Sequence, residues 1–277
     1  MYQLFDRIKS FGNDDTLKYL YKTGLELDNA ETLRYCLDMG ISPNERIVEG
    51  SAGLHVVAGR GYMNLLGILL NEPNIDINIR NTNGKTPLYI ASTECREEMV
   101  IELLARGANV NIADENGYTP LHKAVLWKYQ TIVRILLAYK PNVNAENVYG
   151  KTPLYIASLD SPCIPIIKML IESGADVNME NGKTLHLIIE CALSCYRLKN
   201  VEVVEILLDN GANVNITEPY TKRTALHKVA ITGYLPLARA LLNRGADKTL
   251  KDFKGYTPYE LAIKYKQMSV ADLLANK

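Results

Sequence analysis

The 277-residue sequence predicts an all-α repeat fold of stacked helix pairs on three observations. The first is a period. Thr86-Pro87-Leu88-Tyr89, Thr119-Pro120-Leu121-His122 and Thr152-Pro153-Leu154-Tyr155 stand 33 residues apart, and so do Thr224-Ala225-Leu226-His227 and Thr257-Pro258-Tyr259. The second is a pair of apolar stripes after each motif. In the copy from Asn116 to Asn144, Pro120 opens a helix with Leu121, Ala124 and Val125 on one face. Ile132, Val133, Ile135, Leu136 and Leu137 form the stripe of a second helix. The third is a tail: Gly107-Ala108-Asn109-Val110-Asn111, Gly174-Ala175-Asp176-Val177-Asn178 and Gly211-Ala212-Asn213-Val214-Asn215. One such unit cannot bury both stripes alone, so the copies must stack.

Period, motif, helix pair and tail together resemble the ankyrin repeat family. The resemblance covers roughly residues 48–277, with a weaker copy before them. It implies a solenoid of helix–loop–helix units joined by β-turn fingers that project at right angles to the helices, and a motif Thr and His that hydrogen-bond locally and tie finger to helix. It also implies that partner proteins dock on a concave side built from fingertips and first-helix surfaces.

Residues 1–47 are read as a cap and a degenerate first repeat. A short helix is expected over Tyr2 to Ser10, and Asn13-Asp14-Asp15-Thr16 offers caps for a second beginning at Leu17. Asn29 caps a third, Glu31 to Met39, ended by Gly40. The repeat at 48–78 has lost the motif Thr and Pro, although Leu54 and His55 keep register. Repeats follow at 81–111, 114–144 and 147–178. In the last of these Pro162 and Pro165 should shorten or kink the link between the helices. Residues 180–215 carry an insertion, expected to extend the first helix from Leu185 to about Arg197. Residues 219–247 and 252–277 complete a single domain of about eight repeats, closed by a helix over Ser269 to Ala275 with no appended domain expected.

Composition restricts the functional classes. Hydrophobic residues make up 47% and charged residues 22%, the balance of a folded chain, and the formal net charge is zero. That leaves no footprint for nucleic acid or an anionic membrane, and no apolar run approaches a membrane span. Five scattered cysteines suggest a reducing compartment, so a cytoplasmic monomer is expected, with the nucleus or secretion into a host cell as alternatives. His55, His122, His186 and His227 recur at one motif position, which Tyr89 and Tyr155 fill elsewhere, so they read as structural parts rather than catalysts or ligands. Cys191 and Cys195 lie four apart, but no second Cys/His pair completes a zinc site. No catalytic, metal or cofactor residue is expected.

Binding remains, and its residues follow from the places that the resemblance leaves free. Fingertips offer Tyr118, Tyr149, Tyr220, Arg223, Phe253 and Tyr256; first-helix ends offer Glu94, Leu126, Trp127, Leu159, Asp160 and Tyr265. Trp and Tyr anchor interfaces because they bury a large area at modest entropic cost. The leading reading is a non-enzymatic protein–protein interaction module. The alternative is a host-directed effector of an intracellular bacterium or virus that binds a host protein. An enzyme would need a cluster outside the repeated positions. The resemblance also makes Asn178, after Asp176-Val177, a candidate for hydroxylation, against the plainer reading that tail asparagines serve the turn.

Overall fold

The structure, a computed structural model, describes residues 14–48, 50–159, 161–179, 188–191 and 201–275. The chain divides into two units, residues 1–142 and 143–277. The expected helix over Tyr2 to Ser10, and all of the insertion helix except residues 188–191, lie outside the described residues.

In the first unit α1 (Asp14–Glu26) and α2 (Ala30–Asp38) form the opening pair. Asn29 caps α2 by accepting the Thr32 N–H at 3.0 Å, and Met39 is the C-cap, so the helix begins one residue before the expected bound. A finger follows as a small antiparallel ladder, β1 (Arg46–Val48) against β2 (Ser51–Ala52), with Arg46 opposite Ala52. Three pairs complete the unit: α3 (Gly53–Arg60) with α4 (Met63–Leu70), α5 (Pro87–Thr93) with α6 (Glu97–Ala105), and α7 (Pro120–Leu126) with α8 (Gln130–Ala138). First helices stack in one row, α1 on α3 on α5 on α7; α2 lies on α4 and α6 on α8 in a second row. Leu54, Leu88 and Leu121 are buried at one register in the first row, and Leu65, Leu103, Ile132 and Leu136 in the second. Burying such a side chain contributes about 1.5–3 kcal/mol, more than propensity gives helices of seven to nine residues.

The second unit contains α9 (Pro153–Ser158), α10 (Ile164–Glu172), helical residues 188–191, α11 (Val201–Asp209), α12 (Ala225–Thr232), α13 (Leu235–Asn243), α14 (Pro258–Lys264) and α15 (Met268–Ala275). Helix α12 packs on α13 and α14, and α13 on α11 and α15. At the two prolines α9 stops after six residues where α7 runs seven, and Leu159 is extended where its counterpart Leu126 is still helical. Pro165 sits in the first turn of α10, where no N–H is missed. Helix α15 begins at Met268, one residue before the expected start.

Within each unit the tails form a ladder. In the first, Asn78 Oδ1 accepts the Asn109 N–H at 2.8 Å and Asn111 Oδ1 the Asn142 N–H at 2.7 Å. In the second, Asn144, Asn178 and Asn215 accept from Asp176, Asn213 and Asp247 at 2.7–2.8 Å. Their Nδ2 groups donate to the carbonyls of Gly174, Gly211 and Gly245. One amide therefore satisfies a donor and an acceptor on the next repeat, a stacking role that the turn reading of these asparagines did not include.

Candidate functional site

In each unit the fingertips and first-helix ends are set up by the motif. Thr119 Oγ1 accepts the His122 N–H at 3.3 Å, and His122 Nδ1 accepts the Thr119 N–H at 3.1 Å, a reciprocal cap at the start of α7. Thr224 and His227 repeat it on α12, and Ala52 N–H donates to His55 Nδ1 at 3.0 Å although the motif Thr is gone. Because Nδ1 accepts, the ring proton lies on Nε2, which donates to the Lys85 carbonyl from His55 and to the Tyr256 carbonyl from His227. Both carbonyls belong to the following finger. Burial holds the His55 and His227 pKa values below the usual imidazole value, so both rings are neutral at pH 7.

Tyr89 replaces His and makes the same step with different atoms: its hydroxyl donates to Asp114 Oδ2 at 2.7 Å. Burial, with that bond, raises the phenol pKa far above its ordinary value. Asp114 Oδ1 accepts the N–H groups of Asn116 and Tyr118, closing its own fingertip. At His55, Tyr89 and His227 the motif position thus ties its helix to the next finger. Local spacing carries no signal for that second bond. His186 lies outside the described residues. Arginines add further ties in the first unit: Arg46 donates to Gly50 and Arg80 carbonyls, and Arg80 to Gly84 and Ala113 carbonyls. These two clamps sit 34 residues apart, a register visible in the sequence once their role is known.

On this scaffold the first unit presents Trp127, 55% exposed, as the C-cap of α7 beside exposed Leu126. Tyr118 is half-buried, its ring edge-on to His122, with Lys123 Nζ 4.5 Å from the ring centre. Glu94 is exposed on the rim of an open cleft of about 530 Å³, shared with Glu26, Arg60, Ile90 and Arg96. In the second unit Tyr149 is exposed and Leu159 half-buried; Asp160 lies outside the described residues. Tyr220 is 92% exposed, and Phe253 and Tyr265 are exposed. Tyr256 is half-buried under Lys264, whose Nζ lies 4.2 Å from the ring centre. Arg223 faces inward instead, its Nε on Asp252 Oδ2 at 3.1 Å. Among the described residues no group of three His, Cys, Asp or Glu is placed to hold a metal, and no helix is long and apolar enough to cross a membrane. Cys191 is buried, its thiol directed at the Ser158 carbonyl, and Cys195 lies outside the described residues.

The model of ankyrin repeats matches three times, over residues 8–114, 103–181 and 189–277. The chain belongs to the ankyrin repeat family. The crystal structure of the ankyrin repeat domain of Bcl-3, a member of the IkappaB family, superposes with a TM-score of 0.72 at 28% identity, covering 82% of this ankyrin-repeat chain and 100% of that one. The mouse B-cell lymphoma 3 protein homolog is 32% identical over 125 residues, 43% of this chain and 25% of the mouse protein. A putative ankyrin repeat protein of fowlpox virus, FPV031, is 32% identical over 102 residues, 37% of this chain and 29% of its own length. The chain thus spans less than a third of the length of the mouse and fowlpox proteins. Ankyrin repeats generally serve protein–protein interaction, and the fold is typically non-enzymatic.

Proposed function

We propose that the protein is a non-enzymatic interaction module that takes a partner protein on the fingertips and first-helix ends. One observation supports this most: the apolar stripes of the helices are buried in the stack, yet Trp127, Tyr149, Tyr220 and Phe253 remain exposed on a helix end and on fingertips closed by their own hydrogen bonds. Large rings on a fixed frame bind at low ordering cost. A second reading, a host-directed effector that uses the same face on a host protein, draws on the similarity to the fowlpox protein. Affinity capture from the source cell and from a candidate host separates the two. Under the leading reading Trp127→Ala and Tyr220→Ser each lower capture of a specific partner while helical circular dichroism stays unchanged. Undiminished capture by both variants contradicts the face.

Asn178 is proposed as the hydroxylation site. Its amide is held by Asn213 and Gly211, so modification requires the tail to open first. Intact mass of the native protein, heavier by one oxygen, tests it; an unmodified mass contradicts it.

A further inference from the structure

Charge is segregated along the chain. Residues 219–277 hold eleven Lys and Arg against four Asp and Glu, a net +7, so residues 1–218 hold a net −7 within the zero total. The structure adds where these charges point. The carboxylates of the last two fingers turn inward. Asp252 is buried, accepts the N–H groups of Lys254 and Tyr256 at 2.9 and 3.0 Å, and pairs with Arg223. Glu218 is buried and pairs with Lys228 Nζ at 2.6 Å. Glu260 caps α14 by accepting the Thr257 N–H at 2.7 Å. Lys222, Lys254, Lys264 and Lys266 are exposed and enter no ion pair among the described residues.

Aromatic rings stand beside these cations. Lys254 Nζ lies 5.4 Å from the Phe253 ring centre, Lys264 covers Tyr256, and Tyr220 is almost wholly exposed. The two fingertips adjoin, because Phe253 N–H donates to the Thr221 carbonyl at 2.9 Å. Ring contact restricts where each ammonium can sit, which lowers the entropy lost when it meets an anion.

We propose that the fingertips and first-helix ends of residues 219–266 dock an acidic segment of the partner protein, with Asp and Glu interleaved with apolar side chains. The inference rests on the interaction-module reading and names the chemistry of its partner. A protein fits better than nucleic acid on two grounds. The arginine of this face, Arg223, is spent on Asp252, and the lysines cover ring faces on which bases would stack. Exposed Tyr259 and Ile263 on α14 extend the patch with apolar surface that phosphodiesters do not match.

The test is fluorescence anisotropy with the full chain and a labelled peptide of repeated Glu-Glu-Phe-Asp. A Gln-Gln-Phe-Asn peptide and a labelled oligothymidylate serve as comparisons. The acidic peptide should bind at low salt, weaken as salt rises, and outbind the neutral peptide by about tenfold or more. Lys222→Gln/Lys254→Gln/Lys264→Gln should raise its Kd about tenfold, and Tyr220→Ser/Phe253→Ser by a similar factor, with helical circular dichroism unchanged. No binding of the acidic peptide, equal binding of the neutral one, or displacement by oligothymidylate overturns the proposal. Weakening by the aromatic variant alone overturns the acidic partner but keeps the face as a protein-binding surface. Weakening by neither variant removes both.

Discussion

Tails and fingers each join one repeat to the next, and they do so under different rules. Every described tail rung uses one group, an asparagine amide spanning to an N–H some thirty residues on. The finger ties use whatever reaches: an imidazole to a carbonyl at His55 and His227, a phenol to a carboxylate at Tyr89, guanidinium groups at Arg46, Arg80 and Arg223. The tail crosses a fixed gap between two backbones that each expose a donor and an acceptor, so a primary amide of this length is the direct fit. The finger has several partners in reach and one open side, so its chemistry is free to vary. Variation is where recognition can be built, and Trp127, Tyr149, Tyr220, Phe253 and Tyr265 stand exposed on the fingers and first-helix ends, with Tyr19, Tyr139 and Tyr259 exposed elsewhere.

That contrast can be attacked at its strongest tie first. Tyr89→Phe strands a buried Asp114 oxygen and should cost about 2 kcal/mol in urea unfolding. Adding Asp114→Asn should recover part of the loss, since Asn81 and Asn147 close their own fingertips with the same side-chain oxygen. If the double variant is simply the sum of the two singles, the tie is not a coupled pair.

Acid should come next. His55 and His227 have pKa values lowered by burial, so the unfolded chain binds protons first as pH falls below about 6.5. Stability present above that pH is therefore lost on further acidification, because a proton on Nδ1 opposes the N–H that it now accepts. The urea midpoint should drop between about pH 7 and pH 5, and His227→Gln should show a shallower drop from a lower start. An unchanged slope would exclude that ring as a contributor.

A single rung is weaker. Asn178→Ala removes two bonds at a solvent-facing tail and should cost about 1 kcal/mol. Asn178→Asp should cost nearly as much, because a carboxylate cannot donate to the Gly211 carbonyl. Equal stability of the Asp variant would show that only the accepting half matters. Smallest of all, Trp127→Ala should move stability by no more than about 0.5 kcal/mol, as expected of an exposed side chain. A loss of several kcal/mol would place that ring in the packing.

Much of the frame was legible in the sequence, because it is local chemistry repeated. Thr-Pro openings, apolar stripes and the Asn29 cap are set by neighbours within a turn or two: α2 and α15 begin within a residue of their expected starts, while α1 begins at Asp14, three residues before Leu17, and takes in residues expected as caps. The ties between repeats were not legible. Nothing adjacent to Tyr89 announces Asp114, 25 residues away. A fingertip position marks Arg223 as a contact, yet the structure turns it toward Asp252. A zero net charge hid two opposed stretches, residues 1–218 and 219–277, since a total over the chain averages out what position separates.

The account's central claim is that recognition happens on the fingers and first-helix ends and not on the second helix of each repeat. Photo-crosslinking tests it directly, with p-benzoylphenylalanine placed at Trp127 and Tyr220, and at exposed Arg134 on α8 and Arg239 on α13. The account predicts that a bound protein partner is captured from 127 or 220 and from neither 134 nor 239. Capture from the second-helix positions, with none from 127 and 220, would contradict it.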